Sequence, residues 1–219
     1  VRLRRNASAR RLILRTEARP DGAAGVVVTL PKGVPEAEAL AWAGTQQRWI
    51  ERHLDKLPDR IPFTEGATIP FRGVDHVIRH RPDARRGVWV TDGEICVSGR
   101  PEHVARRVAD WLRRQARAVI AERVAETAAR IDASYGRIAI RDTKSRWGSC
   151  AAGGNLNFSW RLVLTPDFVF DYVVAHEVAH LKEHNHGPGF WRLVDQLTPE
   201  TERARAWLNS FGAGLHRFG

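Results

Sequence analysis

The sequence predicts an α+β protein, with a mainly β N-terminal portion over residues 1–98 and a helix-rich C-terminal portion over residues 99–219 that carries a His-Glu-x-x-His motif on a central helix. Three observations predict it. Before Pro101 the apolar residues come in short runs separated by Pro, Gly and Asp, as strands and turns require. After Pro101 they recur at three-to-four spacing, as helices require. The chain of 219 residues, 43% hydrophobic, is long enough to bury one substantial core or two small ones.

Leu12 to Leu14 and Gly25 to Leu30 are the first strand candidates, and a helical pattern runs from Glu36 to Leu57 as an insertion among them. Val74 to Ile78 and Gly87 to Val97 follow. Within the second, Asp92-Gly93 separates Val88-Trp89-Val90 from Ile95-Cys96-Val97 and marks a two-residue hairpin. The chain divides near Ser98-Gly99-Arg100-Pro101. A long helix is then expected to about Ile131, with Val104, Val108, Trp111, Gln115 and Val119 on one broad face. Arg137 to Arg141 reads as a strand. Gly153-Gly154 turns into another, in which Leu156, Phe158, Trp160, Leu162 and Leu164 alternate with Asn155, Asn157, Ser159, Arg161 and Val163. One face of that strand belongs to the core, and an edge of its sheet can align an extended peptide by main-chain hydrogen bonds.

Thr165-Pro166-Asp167 supplies an N-cap, a first-turn proline and a first-turn acid, and Phe168, Val169, Tyr172, Val173 and Ala179 follow as a buried stripe. His176-Glu177-Val178-Ala179-His180 is therefore expected deep within one helix, which Asn185-His186-Gly187-Pro188-Gly189 ends. Residues i and i+4 share a helix face, so His176 and His180 can approach one ion. A zinc ion suits these donors, with Glu177 beside it to take a proton from water. The chemistry implied is hydrolysis. A last helix is expected from Pro199 to about Phe211, and Trp191 and Trp207 read as core residues.

Catalytic zinc needs a third protein ligand and an open position. His184 continues the i+4 series but lies roughly 12 Å along a straight helix from His176, too far for zinc bonds near 2 Å. Glu200 is at a separation from which a second helix can return a carboxylate, although after Thr198-Pro199 it reads equally as a first-turn acid. His186 sits just past the expected helix end, where a turn can fold its ring back over the ion. It is the favoured ligand, with Glu200 and His184 as alternatives.

The run from His176 to His186, followed by Gly187-Pro188-Gly189-Phe190-Trp191, resembles the HExxH-x5-H signature of the YgjP-like metallopeptidases, a family related to the SprT-type zincins. Arg141-Asp142-Thr143-Lys144-Ser145-Arg146-Trp147-Gly148-Ser149-Cys150 and Asn155 to Leu162 resemble the same family's second signature. With the basic N-terminal portion, the resemblance covers nearly the whole chain. It implies a zincin-like catalytic domain over residues 99–219, with one Zn2+ on His176, His180 and His186, Glu177 as the base and a peptide or protein as substrate. It names no natural substrate.

Lys144, Arg146 and Arg161 are candidates for holding a substrate carboxylate or an oxyanion. Asn155 and Asn157 lie on the polar face of their strand as possible substrate contacts, and Tyr135, Tyr172 and His184 are further donors. A solvated or structural role competes with each of these readings, and Tyr172 falls on the apolar stripe.

No apolar run approaches the eighteen residues of a membrane span, and Val26-Val27-Val28 is too short for an export signal, so a soluble, cytoplasmic protein is expected. Cys96 and Cys150 lack CxxC spacing and give no disulfide framework. Lys+Arg number 35 against 25 Asp+Glu, a net charge of +10 carried almost entirely by arginine, which leaves a basic nucleic-acid-associated module as the alternative reading. The charge is spread along the chain without a DNA-reading motif or interleaved aromatics, which favours the hydrolase.

Overall fold

The structure is a computed structural model that describes residues 1–18, 24–54 and 60–219. It divides into two compact units, Val1–Arg60 and Ile61–Gly219. In the first, β1 (Arg2–Arg5), β2 (Ile13–Ala18) and β3 (Ala24–Leu30) form a sheet in the order β1-β3-β2, with β1 parallel and β2 antiparallel to the central strand. Val28 and Leu30 alternate along β3 and form a small core with Ala39 and Ala43 of α1 (Glu36–Thr45), with Leu3, Leu14 and Trp42 around them. The helical stretch expected from Glu36 is broken at Gln46 (φ -97°, ψ 16°), where α2 (Gln47–Leu54) starts anew. Its expected end, Asp55 to Leu57, lies outside the described residues.

The second unit begins with β4 (Thr68–Phe71), β5 (Val74–His80), β6 (Val88–Thr91) and β7 (Glu94–Val97), ordered β4-β5-β7-β6, with β5 and β7 parallel and the other pairs antiparallel. Asp92 and Gly93 both have positive φ, 46° and 74°, as the short hairpin demands. Arg72-Gly73 makes a similar turn between β4 and β5 (φ 52° and 76°), one that the sequence reading does not identify. This turn docks on the start of a later helix. Arg72 N–H and Gly73 N–H donate to the carbonyls of Val163 and Leu164, and the Arg72 guanidinium grips Asp167 through bonds of 2.9 and 2.8 Å. A Cβ on Gly73 would lie 2.7 Å from Pro166 Cα, so the approach requires glycine.

The long helix α3 (Val104–Ala129) buries Val104, Val108, Trp111, Leu112, Ala116, Ile120, Val124 and Ala128. Its 3.6-residue period carries the buried face through Leu112, Ala116 and Ile120, leaving Gln115 and Val119 half-buried at the margin. β8 (Ile138–Arg141), β9 (Gly148–Cys150) and β10 (Leu156–Ser159) form a third sheet in which β10 is central, parallel to β8 and antiparallel to β9. The strand expected to reach Leu164 stops at Ser159. Its hydroxyl accepts a hydrogen bond from Arg161 N–H, and Trp160–Leu164 tightens into a 3-10 turn with all five side chains buried. The sheet edge nearest the motif helix is therefore β9 rather than β10.

The motif helix α4 (Asp167–Ala179) packs against α3, β9, α5 (Pro188–Leu197) and α6 (Thr201–Phe211). The expectation of a motif deep in one central helix is overturned here. α4 ends at Ala179, His180 is its C-cap, and the N–H groups of Leu181, Lys182 and Glu183 close the end on the carbonyls of Val178 and Ala179. The histidines form a cluster divided between the helix end and the following loop. The Gly187-Pro188-Gly189 segment, read as a helix stop, instead opens α5, with Pro188 in its first turn. No described helix is long and apolar enough to cross a membrane.

Candidate metal centre

His176 projects from the last turn of α4, His180 from its C-cap and His186 from the loop before α5. His186 Nε2 lies 3.1 Å from His180 Nε2 and 3.2 Å from His176 Nε2, and the donor atoms of all three rings fall within 4.8 Å of one another. A neutral imidazole has one N–H and one lone pair, so three nitrogens meeting at one point cannot all be satisfied by hydrogen bonds to each other. Tetrahedral zinc with bonds of about 2.05 Å sets its nitrogen ligands roughly 3.3 Å apart. The observed spacing fits such an ion.

The ring orientations fit as well. His180 Nδ1 is 3.0 Å from the Glu183 carbonyl, which can only accept, so the proton sits on Nδ1 and the Nε2 lone pair faces the cluster. His176 Nδ1 is buried with no hydrogen-bond partner among the described residues. Burial, reinforced by His180, His186 and Arg205, pushes the His176 pKa down to about 4, and burial lowers His180 too. Both imidazoles therefore rest in the neutral, metal-binding form near neutral pH. Phe190 packs against all three rings at centroid distances of 4.9, 4.5 and 4.7 Å, and Trp191 stacks on His186 at 5.9 Å, with the Arg205 guanidinium over the Trp191 ring at 4.9 Å.

Glu177 is buried on the side of α4 that meets β9. A Cβ on Gly148 would lie 2.5 Å from Glu177 Cγ and 2.6 Å from Oε1, so glycine is what lets the carboxyl occupy this place. Burial raises the Glu177 pKa to about 7 against the lowering effects of the Arg146 charge and the Cys150 backbone N–H, which donates to the carboxylate. A group so tuned can accept and return a proton near neutrality. Burial, with the Glu177 charge adding to it, also pushes the Cys150 thiol up, which disfavours thiolate.

A cavity of about 250 Å³ adjoins both His176 and Glu177, and its remaining walls are Arg146, Trp147, Gly148, Tyr172, Val173 and Leu208. The structure thus brings Arg146 and Tyr172 to the site, the latter edge-on to His176 at 5.9 Å. Other candidates are occupied elsewhere. Arg161 is buried, paired with Asp142 at 3.2 Å and donating to the carbonyls of Leu215 and Phe218. Asn155 Oδ1 accepts from Arg137 N–H and Asn157 Nδ2 donates to Ser149, so both serve the third sheet. Lys144 and Tyr135 are exposed and do not line the cavity. His184 and Glu200 lie outside the histidine cluster, His184 exposed and Glu200 at the α6 N-cap with Arg203 at 3.3 Å. Sequence reasoning missed Gly148, Trp147 and Leu208 as site residues, because their roles arise from contacts between distant segments. Only the Trp147-Gly148-Ser149-Cys150 run signalled any of them.

The family described as the YgjP-like metallopeptidase domain matches residues 14–211. No curated protein matches the chain. Among solved structures, the metallopeptidase zymogen abylysin of Pyrococcus abyssi is 21% identical, covering 45% of this chain and 97% of that one with a TM-score of 0.39. The family match spans both compact units and takes in the histidine cluster and Glu177, and the chain belongs to the YgjP-like metallopeptidase-domain family.

Proposed function

We propose that this protein is a zinc-dependent endopeptidase, with the ion held by His176, His180 and His186 and with Glu177 as the general base. The observation that carries this reading is the meeting of three imidazoles, at 3.1 and 3.2 Å, with the buried Glu177 carboxyl on the same helix. When bound, zinc supplies the Lewis acidity that makes water deprotonatable near neutral pH and polarises a carbonyl. Glu177 takes the proton of the attacking water and returns it to the leaving amine. Gly148 gives that carboxyl its place and the Cys150 N–H orients it. Arg146 brings a positive charge to the cavity, where it can steady negative charge developing on the substrate oxygen. β9, the outer strand of its sheet, offers the edge along which an extended peptide would pair. Membership in a metallopeptidase-domain family supports peptide bonds as the target. The free thiols Cys96 and Cys150 suit a reducing, cytoplasmic setting.

Replacing Glu177 with Gln tests the assignment. Zinc content and secondary structure should match the unmodified protein, while peptide hydrolysis should fall by about 10²- to 10⁴-fold. Undiminished turnover in E177Q would remove Glu177 from the base role.

A further inference from the structure

We infer that the cavity beside Glu177 receives one substrate side chain and selects a large apolar residue, aromatic above all, next to the bond that is cleaved. This deepens the peptidase reading and rests on it. The cavity's position follows from its walls: His176 and Glu177 are both among them, so a side chain filling it belongs to a residue adjoining the scissile bond. Its size sets the occupant. At about 250 Å³ it exceeds the roughly 150 Å³ of an apolar cavity that holds benzene, and it falls below the 300 Å³ or so where pockets for whole small molecules begin. One aromatic ring fits.

The chemistry of the walls points the same way. Trp147, Tyr172, Val173 and Leu208 present apolar surface, and Tyr172 and Val173 are themselves buried, so water inside the cavity is readily displaced by hydrocarbon. Arg146 places a cation in the lining, which works against a lysine or arginine side chain. A carboxylate would meet that cation but would lose its hydration to apolar walls on the other sides. The Trp147 wall is fixed in advance: its ring stacks on His216 at 5.6 Å and 23°, and a Cβ on Gly212 would lie 3.1 Å from Trp147 Cζ2. Selection by size needs a wall of this kind, since a yielding one admits side chains of any bulk.

The test uses the zinc-loaded full chain and peptides that differ at one residue, Phe, Leu, Ala or Lys, placed on either side of the cleaved bond. On one side, kcat/KM should fall from Phe to Leu to Ala, with Phe roughly 10- to 100-fold above Ala and Lys at the bottom. Leu208→Trp, which narrows the cavity, should bring the Phe-to-Ala ratio close to one. An unchanged ratio in that variant overturns the inference. A binding measurement on the unmodified protein guards against a folding defect in L208W. In an NMR titration, N-acetyl-phenylalaninamide should shift the Trp147 indole and Val173 methyl signals, and N-acetyl-alaninamide should not. Signals unmoved by the phenylalanine amide overturn the inference. Binding of that amide without cleavage of any peptide supports the cavity's selectivity and sinks the peptidase reading.

Discussion

The ligand side of the centre and the Glu177 side are built by different means. His176, His180 and His186 come from one short stretch of chain, brought together by a helix end and a turn, with the Glu183 carbonyl in the same turn setting the His180 tautomer. Glu177 sits on that helix too, yet its environment comes from elsewhere: Gly148 and the Cys150 N–H from β9, and Arg146 from the loop before it. Local geometry suffices to gather three imidazoles able to hold an ion. Tuning a buried carboxyl takes long-range packing, because only tertiary contacts remove water and admit a single donor.

That contrast is broken most severely from the ligand side. Structural zinc sites gain about 10–16 kcal/mol across their ligands, so loss of one of three should weaken zinc binding by roughly 10³-fold or more. H186A should show this by competition with a chelator while its secondary structure stays unchanged. Retained affinity would move the third ligand elsewhere.

The Glu177 side should fail differently. In G148A the new methyl must displace the Glu177 carboxyl, so zinc affinity should stay within a few-fold while kcat falls by about 10- to 100-fold and the acidic limb of its pH profile moves. Equal loss of zinc and activity would show that the two sides are not separable.

A smaller effect concerns stability without metal. His176 is held down to about 4 from 6.5, so the folded state binds fewer protons than the unfolded one, and this group's contribution is lost as pH falls through that window. Glu177 is raised from 4.5 to about 7, so the folded state binds more protons, and stability is lost as pH rises through its own window. E177Q removes only the second dependence. Denaturant titrations of the metal-free protein should show stability climbing more steeply between about pH 5 and 7 in E177Q than in the unmodified chain. Parallel slopes would mean that the carboxyl is better solvated than its packing against Gly148 implies.

The smallest expected change lies furthest from the ion. Arg72→Ala removes a bidentate grip on Asp167, but both side chains are substantially exposed, so the loss should be about 0.5–1 kcal/mol, a drop of a few degrees in Tm, with zinc affinity unaltered. A change in zinc affinity would show that the β4–β5 turn steers the ligands rather than only anchoring the start of α4.

The same contrast explains what the sequence revealed. Asp92-Gly93 announces its hairpin because positive φ at two successive positions leaves few residue choices, and the i, i+4 histidines announce themselves through helix geometry. The end of α4 was hidden. No glycine follows Ala179, Leu181 continues the apolar pattern, and the helix is closed instead by bonds from residues 181–183 and by the His180 ring reaching Glu183. The strand through Leu164 misled for a related reason. Alternation reports one wet and one dry face, whereas residues 160–164 are buried throughout and are turned by the Ser159 hydroxyl. Arg161, a substrate candidate by charge alone, became a structural cation once Asp142 and the carbonyls of Leu215 and Phe218 surrounded it. No local pattern could disclose that Gly148 makes room for Glu177.

The most direct measurement is a crystal structure of the zinc-loaded protein. The three-histidine assignment predicts one ion bonded to His176, His180 and His186 at about 2.0–2.1 Å, with solvent in the remaining position on the side of Glu177. A fourth protein ligand closing that position, or an ion held without His186, would contradict it.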